Sequence, residues 1–289
     1  MSIRNRKVQG AIMIPVNGIN KKVERIEIEA TIDDRIHKKV MIITTYETIN
    51  TIHIYIGSRN IYCMDVQLLK DKEFGTADTG VLTKVRWDTV CSIDEPFGKG
   101  TDTIMMIKAL VTYIHNNYPN VVSLTFNDMS TKICDDGNSV SLAAMKLLTD
   151  GKTWYETHFD VSTDDINTYI YNKMKENITQ KKQEMIFFKF SMYAQTQSLP
   201  IPTDTVKELY ENSPTWQQFF SFIRDRIGIS KLCIWLSKNN WFEIFLQTIL
   251  KLSIPTVIFL LHVKKYDDIT YKVIKNIGGG YKRTKKGRH

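Results

Sequence analysis

The chain has 289 residues, 43% of them apolar and 24% charged, a balance that excludes disorder and suits one large or two ordinary globular domains. Its net charge is +8, and Lys282, Arg283, Lys285, Lys286 and Arg288, all in the last nine residues, account for five of those eight charges. The body is therefore near neutral and ends in a basic tail, which excludes a uniformly basic nucleic-acid module. Isoleucine, asparagine, lysine, threonine and tyrosine are plentiful, as in the products of AT-rich genomes.

Met1 to Gly10 is polar and basic, without the apolar segment of a secretory signal. From Ile26 to Ile32, and again at Ile52, Ile54 and Ile56, apolar residues alternate with polar ones, which predicts half-buried strands. Val40–Ile43 reads as a short central strand, and Gly57-Ser58-Arg59-Asn60 as a turn. Val81–Ile93 is the longest alternating segment and predicts a long strand with a bend or bulge. After Pro96, Ile104, Ile107, Val111 and Ile114 fall at helical spacing, widened by Met106, Leu110 and Tyr113 into a stripe suited to packing on a sheet. Pro119 closes that helix and Val121–Phe126 reads as a strand, so a parallel pair joined by a crossover is expected. Ser139–Thr149 predicts a second helix.

Beyond residue 160 the pattern is mainly helical. Ser162 and Asp165 form a capping-box pattern ahead of Ile166, Tyr169, Ile170 and Met174. Ser213-Pro214 opens a helix carrying Trp216, Phe219, Phe220, Ile223 and Ile227, which Gly228 ends. Aromatic residues at this spacing read as core. Ile244–Leu261 is the most apolar stretch, but Gln247, Lys251 and Pro255 interrupt it, so a buried helix followed by a strand is expected and not a membrane span. Cys63, Cys91, Cys134 and Cys233 are far apart, without metal-ligand spacing. They suit a reducing compartment in which each is a small buried apolar group; a disulfide is possible in principle though no spacing asks for one, and no metal is expected.

The chemistry-bearing segments are three. The first is Glu95-Pro96-Phe97-Gly98-Lys99-Gly100-Thr101, between the long strand and the helix. Glycines there allow a tight turn and bring backbone N–H groups to a helix N-terminus, where an anion is favoured. The order of long strand, Gly-x-Gly loop, helix, strand, polar turn, helix and aromatic strand resembles the core of the GNAT-superfamily N-acetyltransferases over residues 81–160. In that family a Gln/Arg-x-x-Gly-x-Gly/Ala loop grips the pyrophosphate of acetyl-coenzyme A. Glu95-x-x-Gly98-x-Gly100 follows the pattern with Glu95 in the Gln/Arg place. Ser141, Ala144, Leu147, Gly151, Tyr155 and Phe159 loosely echo the family's next helix and strand. The resemblance implies acetyl-coenzyme A held by Gly98, Lys99, Gly100 and Thr101, with Tyr155 protonating the departing thiolate. Asp88 or Asp94 would be the base that deprotonates the amine. The alternative is that Tyr155 is a structural aromatic and both aspartates are solvated.

The second segment is Gly151-Lys152-Thr153-Trp154-Tyr155-Glu156. It is similar, with Asp128-x-Ser130 and the Ser141-Leu142 helix start, to a signature in proteins of nucleocytoplasmic large DNA viruses. That similarity implies a viral origin, and with it the host cytoplasm, a virus factory or the virion as location. It is no Walker loop, because Lys146 stands where the first glycine is required. Gly151 is expected to end a helix in the left-handed conformation, with Trp154 and Phe159 packing the following strand into the core. The third segment is the tail after Gly278-Gly279-Gly280, a flexible basic stretch suited to weak, sequence-independent nucleic-acid binding.

The expected architecture is α/β. An acetyltransferase-like mixed sheet with crossover helices occupies residues 1–160, a mainly helical region 161–277 and the flexible tail 278–289. The functional readings are an acyl-coenzyme-A-dependent N-acetyltransferase, an inactive acetyltransferase-like viral structural or interaction protein, and a nucleic-acid-associated factor that works through its tail.

Overall fold

A computed structural model describes residues 20–276 except 33, 59–60, 72–76, 86–89, 94–95, 99, 181, 183–184 and 253–256. In chain order the elements are β1 (Asn20–Ile32), β2 (Arg35–Glu47), β3 (Thr51–Gly57), β4 (Tyr62–Lys70), β5 (Ala77–Val85), α1 (Thr101–Asn117) and β6 (Ser123–Asn127). There follow β7 (Thr131–Ile133), β8 (Ser139–Ser141), α2 (Leu142–Asp150), α3 (Trp154–His158), β9 (Val161–Thr163) and α4 (Asp165–Thr179). The remainder comprises α5 (Phe187–Ala194), α6 (Thr203–Asn212), α7 (Trp216–Ile227), α8 (Ile229–Ser237), α9 (Trp241–Thr248), β10 (Ile258–His262) and β11 (Ile269–Asn276). The chain divides into two compact units, one running to Leu124 and resuming at His262, the other Thr125–Leu261.

In the first unit the strand order is β11-β1-β2-β3-β4-β5, every neighbouring pair antiparallel. Alternation decides which face is buried. Ile26 pairs with Met41, Ile43 with Ile56, and Ile54 with Val66, so one face is a continuous aliphatic row. Its members are fully buried, each contributing about 1.5–3 kcal/mol. Helix α1 packs on β1 and β11 with the stripe Ile104, Ile107, Val111 and Ile114 buried. A buried hydrogen bond crosses this layer, from Tyr113 Oη to Glu24 Oε2 at 2.9 Å.

In the second unit the strand order is β6-β10-β9, and β9 pairs antiparallel with β10. β7 and β8 form a separate hairpin whose turn is closed by Cys134 N–H to Asn138 O at 2.7 Å. The helices after α4 bury an aromatic core, with edge-to-face contacts such as Phe190–Phe219 at 5.2 Å and Trp216–Phe245 at 4.9 Å. The indole N–H groups find carbonyls, Trp235 on Ala194 and Trp241 on Trp235, which allows such large rings to be buried without an unpaired donor.

Several expectations need correction. The long strand ends at Val85; Val90–Ile93 is turn and bend, held by hydrogen bonds from Ser92 Oγ and Ile93 N to Val40 O. Ser139–Ser141 belongs to a hairpin, and Ser141 caps α2 through Ala144 N. Trp154–His158 is a short helix and not a strand, because Thr153 and Glu156 form a complete capping box. The cap of α4 is Asp164, bonded to Asn167 N, and Ser162 lies in β9. The cysteines are not separate apolar groups: Cys63 pairs with Cys91 and Cys134 with Cys233, leaving no free thiol among the described residues. No described helix is long and apolar enough to cross a membrane.

Candidate functional site

Two places carry the candidate chemistry, one in each unit. In the first unit the turn before α1 reverses at Gly100, whose φ of 74° is costly for any residue with a Cβ. A Cβ there would touch nothing within 4 Å. Thr101 is the first residue of α1. The neighbouring backbone donor is already engaged, since Gly98 N–H bonds Asp102 Oδ2 at 2.5 Å. Asp102 is 8% exposed, and the Lys39 ammonium lies 3.5 Å from the same carboxylate oxygen. Lys39 also donates to Pro96 O at 3.0 Å. The loop is thus filled by its own anion, with a cation from β2 beside it. Asp102 was readable from its place two residues after Gly100; Lys39, 57 residues from Pro96, left no local signal. Asp88, Asp94, Glu95 and Lys99 lie outside the described residues, as do Lys282, Arg283, Lys285, Lys286 and Arg288.

In the second unit, Gly151 caps α2 in the left-handed conformation with φ 73°, as its position predicts. Thr153 N–H reaches Glu156 Oε2 at 2.7 Å, and Glu156 N–H returns to Thr153 Oγ1 at 3.3 Å. Glu156 also accepts from Tyr171 Oη at 2.5 Å and from Lys175 Nζ at 2.8 Å. Burial pushes the Glu156 carboxyl up, but the bonds from Lys175, Tyr171 and Thr153 outweigh it and hold the carboxyl below its ordinary value. Lys152 is exposed. The signature residues are therefore a helix stop, a helix start and a hub for α4.

Tyr155 is 7% exposed, its ring packed on Phe126 at 4.6 Å, Trp154 at 5.1 Å and Phe159 at 6.0 Å. Burial, with the Asp128 charge adding to it, pushes its phenol above the ordinary value. Asp128 is 1% exposed. Its Oδ1 accepts from Ser130 N at 3.1 Å and Ser130 Oγ at 2.5 Å, an Asx turn. Its Oδ2 is buried with no hydrogen-bond partner among the described residues, and burial raises the carboxyl despite the Ser130 bonds. A phenol whose proton is held this firmly is a poor acid at neutral pH without a bound group to accept the proton. Among the described residues no group of His, Cys, Asp and Glu could hold a metal ion. Compared with family models, curated proteins and solved structures, the chain matches none.

Proposed function

We propose that this is an acetyltransferase-like protein of viral type that acts as a structural or interaction protein and not as an acyltransferase. The observation that carries the reading is the occupancy of the Gly98–Gly100 turn by Asp102. A pyrophosphate bound there would have to displace a carboxylate from Gly98 N–H and take its place beside Lys39. Bringing phosphate oxygens next to that carboxylate is repulsive, and the glutamate at position 95 adds a second like charge in sequence. The residues of the viral-type signature are spent on caps and packing.

The second reading, an acyl-coenzyme-A-dependent N-acetyltransferase, is favoured by one observation. β5, the Gly-x-Gly turn, α1, β6, a polar hairpin and α2 succeed one another in the order that the resemblance expects. In that reading Tyr155 gives its proton to the departing thiolate, and Gly98, Lys99, Gly100 and Thr101 hold the cofactor.

Thermal melts with coenzyme A and acetyl-coenzyme A, with calorimetry on the same samples, separate the two. A ligand at a hundred times its Kd would stabilise the native state by about 2.7 kcal/mol. The scaffold reading expects no shift for the wild-type chain. A clear rise in Tm that Gly100→Glu removes would overturn it and favour the enzyme. In that event Tyr155→Phe should keep the shift and lose turnover, because it deletes the proton and keeps the ring.

A further inference from the structure

We propose that Lys182 is an acylation site, a nucleophilic amine that accepts an acyl group from a thioester. It lies in the second unit and is independent of whether the turn before α1 takes an acyl donor.

The backbone sets its position. Lys182 lies between α4 and α5, and its N–H bonds Pro214 O at 2.6 Å. Three residues on, Met185 O accepts from Tyr210 Oη at 2.6 Å. These two bonds lay the connection against the corner where α6 ends and α7 begins. The Lys182 ammonium therefore faces the rings of that corner. It lies 3.6 Å from the centre of Tyr210, 5.5 Å from Phe219 and 5.8 Å from Trp216, and all three rings are buried. Nζ donates to Tyr210 O.

Ion pairing sets this lysine apart. Lys70, Lys146 and Lys175 each meet a carboxylate at 2.6 to 2.8 Å. Among the described residues no carboxylate forms a salt bridge with Lys182, although α6 carries Glu208 and Glu211 and α7 carries Asp225. Glu211 is paired with Lys207, Asp225 with Arg224, and Glu176 of α4 with Lys173. The titratable group in contact is Tyr210, whose phenol burial pushes up to about 12, so it brings no charge at neutral pH. An ammonium so placed has exchanged water for ring faces, and cation–π attraction offsets only part of that loss. Burial pushes its pKa down to about 8. At that pH about half of it is neutral amine, against about 0.3% of a free lysine side chain. Lys182 is half-buried and not enclosed, so a small reagent reaches it.

The acyl class follows from the same surroundings. The Nζ lone pair attacks the thioester carbonyl, the C–N bond forms and the C–S bond breaks. The thiolate leaves and takes up the proton that the nitrogen loses. The product is an uncharged amide, which removes a desolvated cation, and its one N–H can keep the bond to Tyr210 O. Methylation, by contrast, would keep the charge. No described thiol competes for the acyl group, because the cysteines are paired in disulfides.

The full chain incubated with S-acetyl-N-acetylcysteamine tests this, with peptide mass spectrometry following acetylation at each lysine from about pH 7 to about pH 10. This thioester has no phosphate, so a negative result here leaves the coenzyme A reading of the turn before α1 untouched. At about pH 7.5 Lys182 should be acetylated about ten-fold faster, or more, than the exposed Lys152 and Lys231. Its rate should level off above a midpoint of about 8. In urea beyond the unfolding transition the excess should vanish, because the ring corner is gone. A rate at Lys182 no greater than at Lys152 and Lys231, a rate still climbing at about pH 10, or an excess that survives unfolding would overturn the site.

Discussion

Three donors converge on the Glu156 carboxylate, from Thr153 N, Tyr171 Oη and Lys175 Nζ. Hydrogen bonds to a charged acceptor are worth about 1.5–3 kcal/mol, so Glu156→Gln should destabilise the protein by about that amount at pH 7. The folded carboxyl lies below its ordinary value of 4.5. Its contribution is therefore complete above the unfolded value and is lost as pH falls through the folded one. Urea melts at neutral pH and at about pH 3 check this; equal midpoints for wild type and variant at pH 7 would refute it. Asp128 has the opposite sign. Burial raises its carboxyl, so the native state binds the proton more tightly and the ionised form costs stability above that raised value. Asp128→Asn should stabilise by on the order of 1 kcal/mol at neutral pH, and the gain should shrink as pH falls and the wild-type carboxyl takes up its proton. A variant less stable than wild type at pH 7 would show that Oδ2 has a role the static contacts do not reveal.

Element by element, legibility followed locality. Ile26, Ile28 and Ala30 announced β1, and the Ile104–Ile114 stripe announced α1, because one buried face imposes its own period on the sequence. β4 shows the same alternation only from Met64 through Val66 to Leu68, because Cys63 and Met64 are buried in succession at a register shift, so its start gave no signal. Trp154–His158 looked like a strand because its aromatic residues hid a five-residue helix, too short to display a 3.6-residue period. The glycine turn was legible as a turn, but the cation beside its Asp102 carboxylate was not, since Lys39 arrives from a distant strand. Gly151 was legible in full, and it makes a test. A Cβ there would sit 2.6 Å from Gln217 Nε2, the movable end of a side chain, so the main cost of Gly151→Ala is the left-handed backbone, about 1–2 kcal/mol. Gln217→Ala should recover little of it in the double variant. Lys152→Ala, one residue on and exposed, should change stability by less than about 0.5 kcal/mol and leave any nucleotide affinity intact. Thermal melts of the four proteins decide both points; a Gly151→Ala protein as stable as wild type would contradict the cap.

Across the whole molecule, each compact unit contains one disulfide, and these are the longest-range covalent constraints that spacing alone could not disclose. Cys63–Cys91 closes 28 residues within the first unit, and Cys134–Cys233 closes 99 residues within the second. Loop-closure entropy assigns them about 3.5 and about 4.7 kcal/mol of stabilisation through the unfolded state, upper values when native contacts persist after reduction. The longer loop should therefore matter more. Replacing Cys134 and Cys233 by Ser should lower the denaturation midpoint further than replacing Cys63 and Cys91. A reductant should bring the wild-type protein below either variant. The variant lacking all four cysteines should not respond to reductant. Alkylation of the native protein followed by peptide mapping supplies the chemical control, and should recover the two linked peptide pairs with no modified thiol. Four alkylated cysteines, or melting curves that ignore the reductant, would mean that the units hold together by packing alone. Larger loss from the shorter loop would instead locate the effect in the native contacts around Cys91, where Ser92 and Ile93 bond Val40 O. The comparison thus separates unfolded-state entropy from local anchoring within one set of melts.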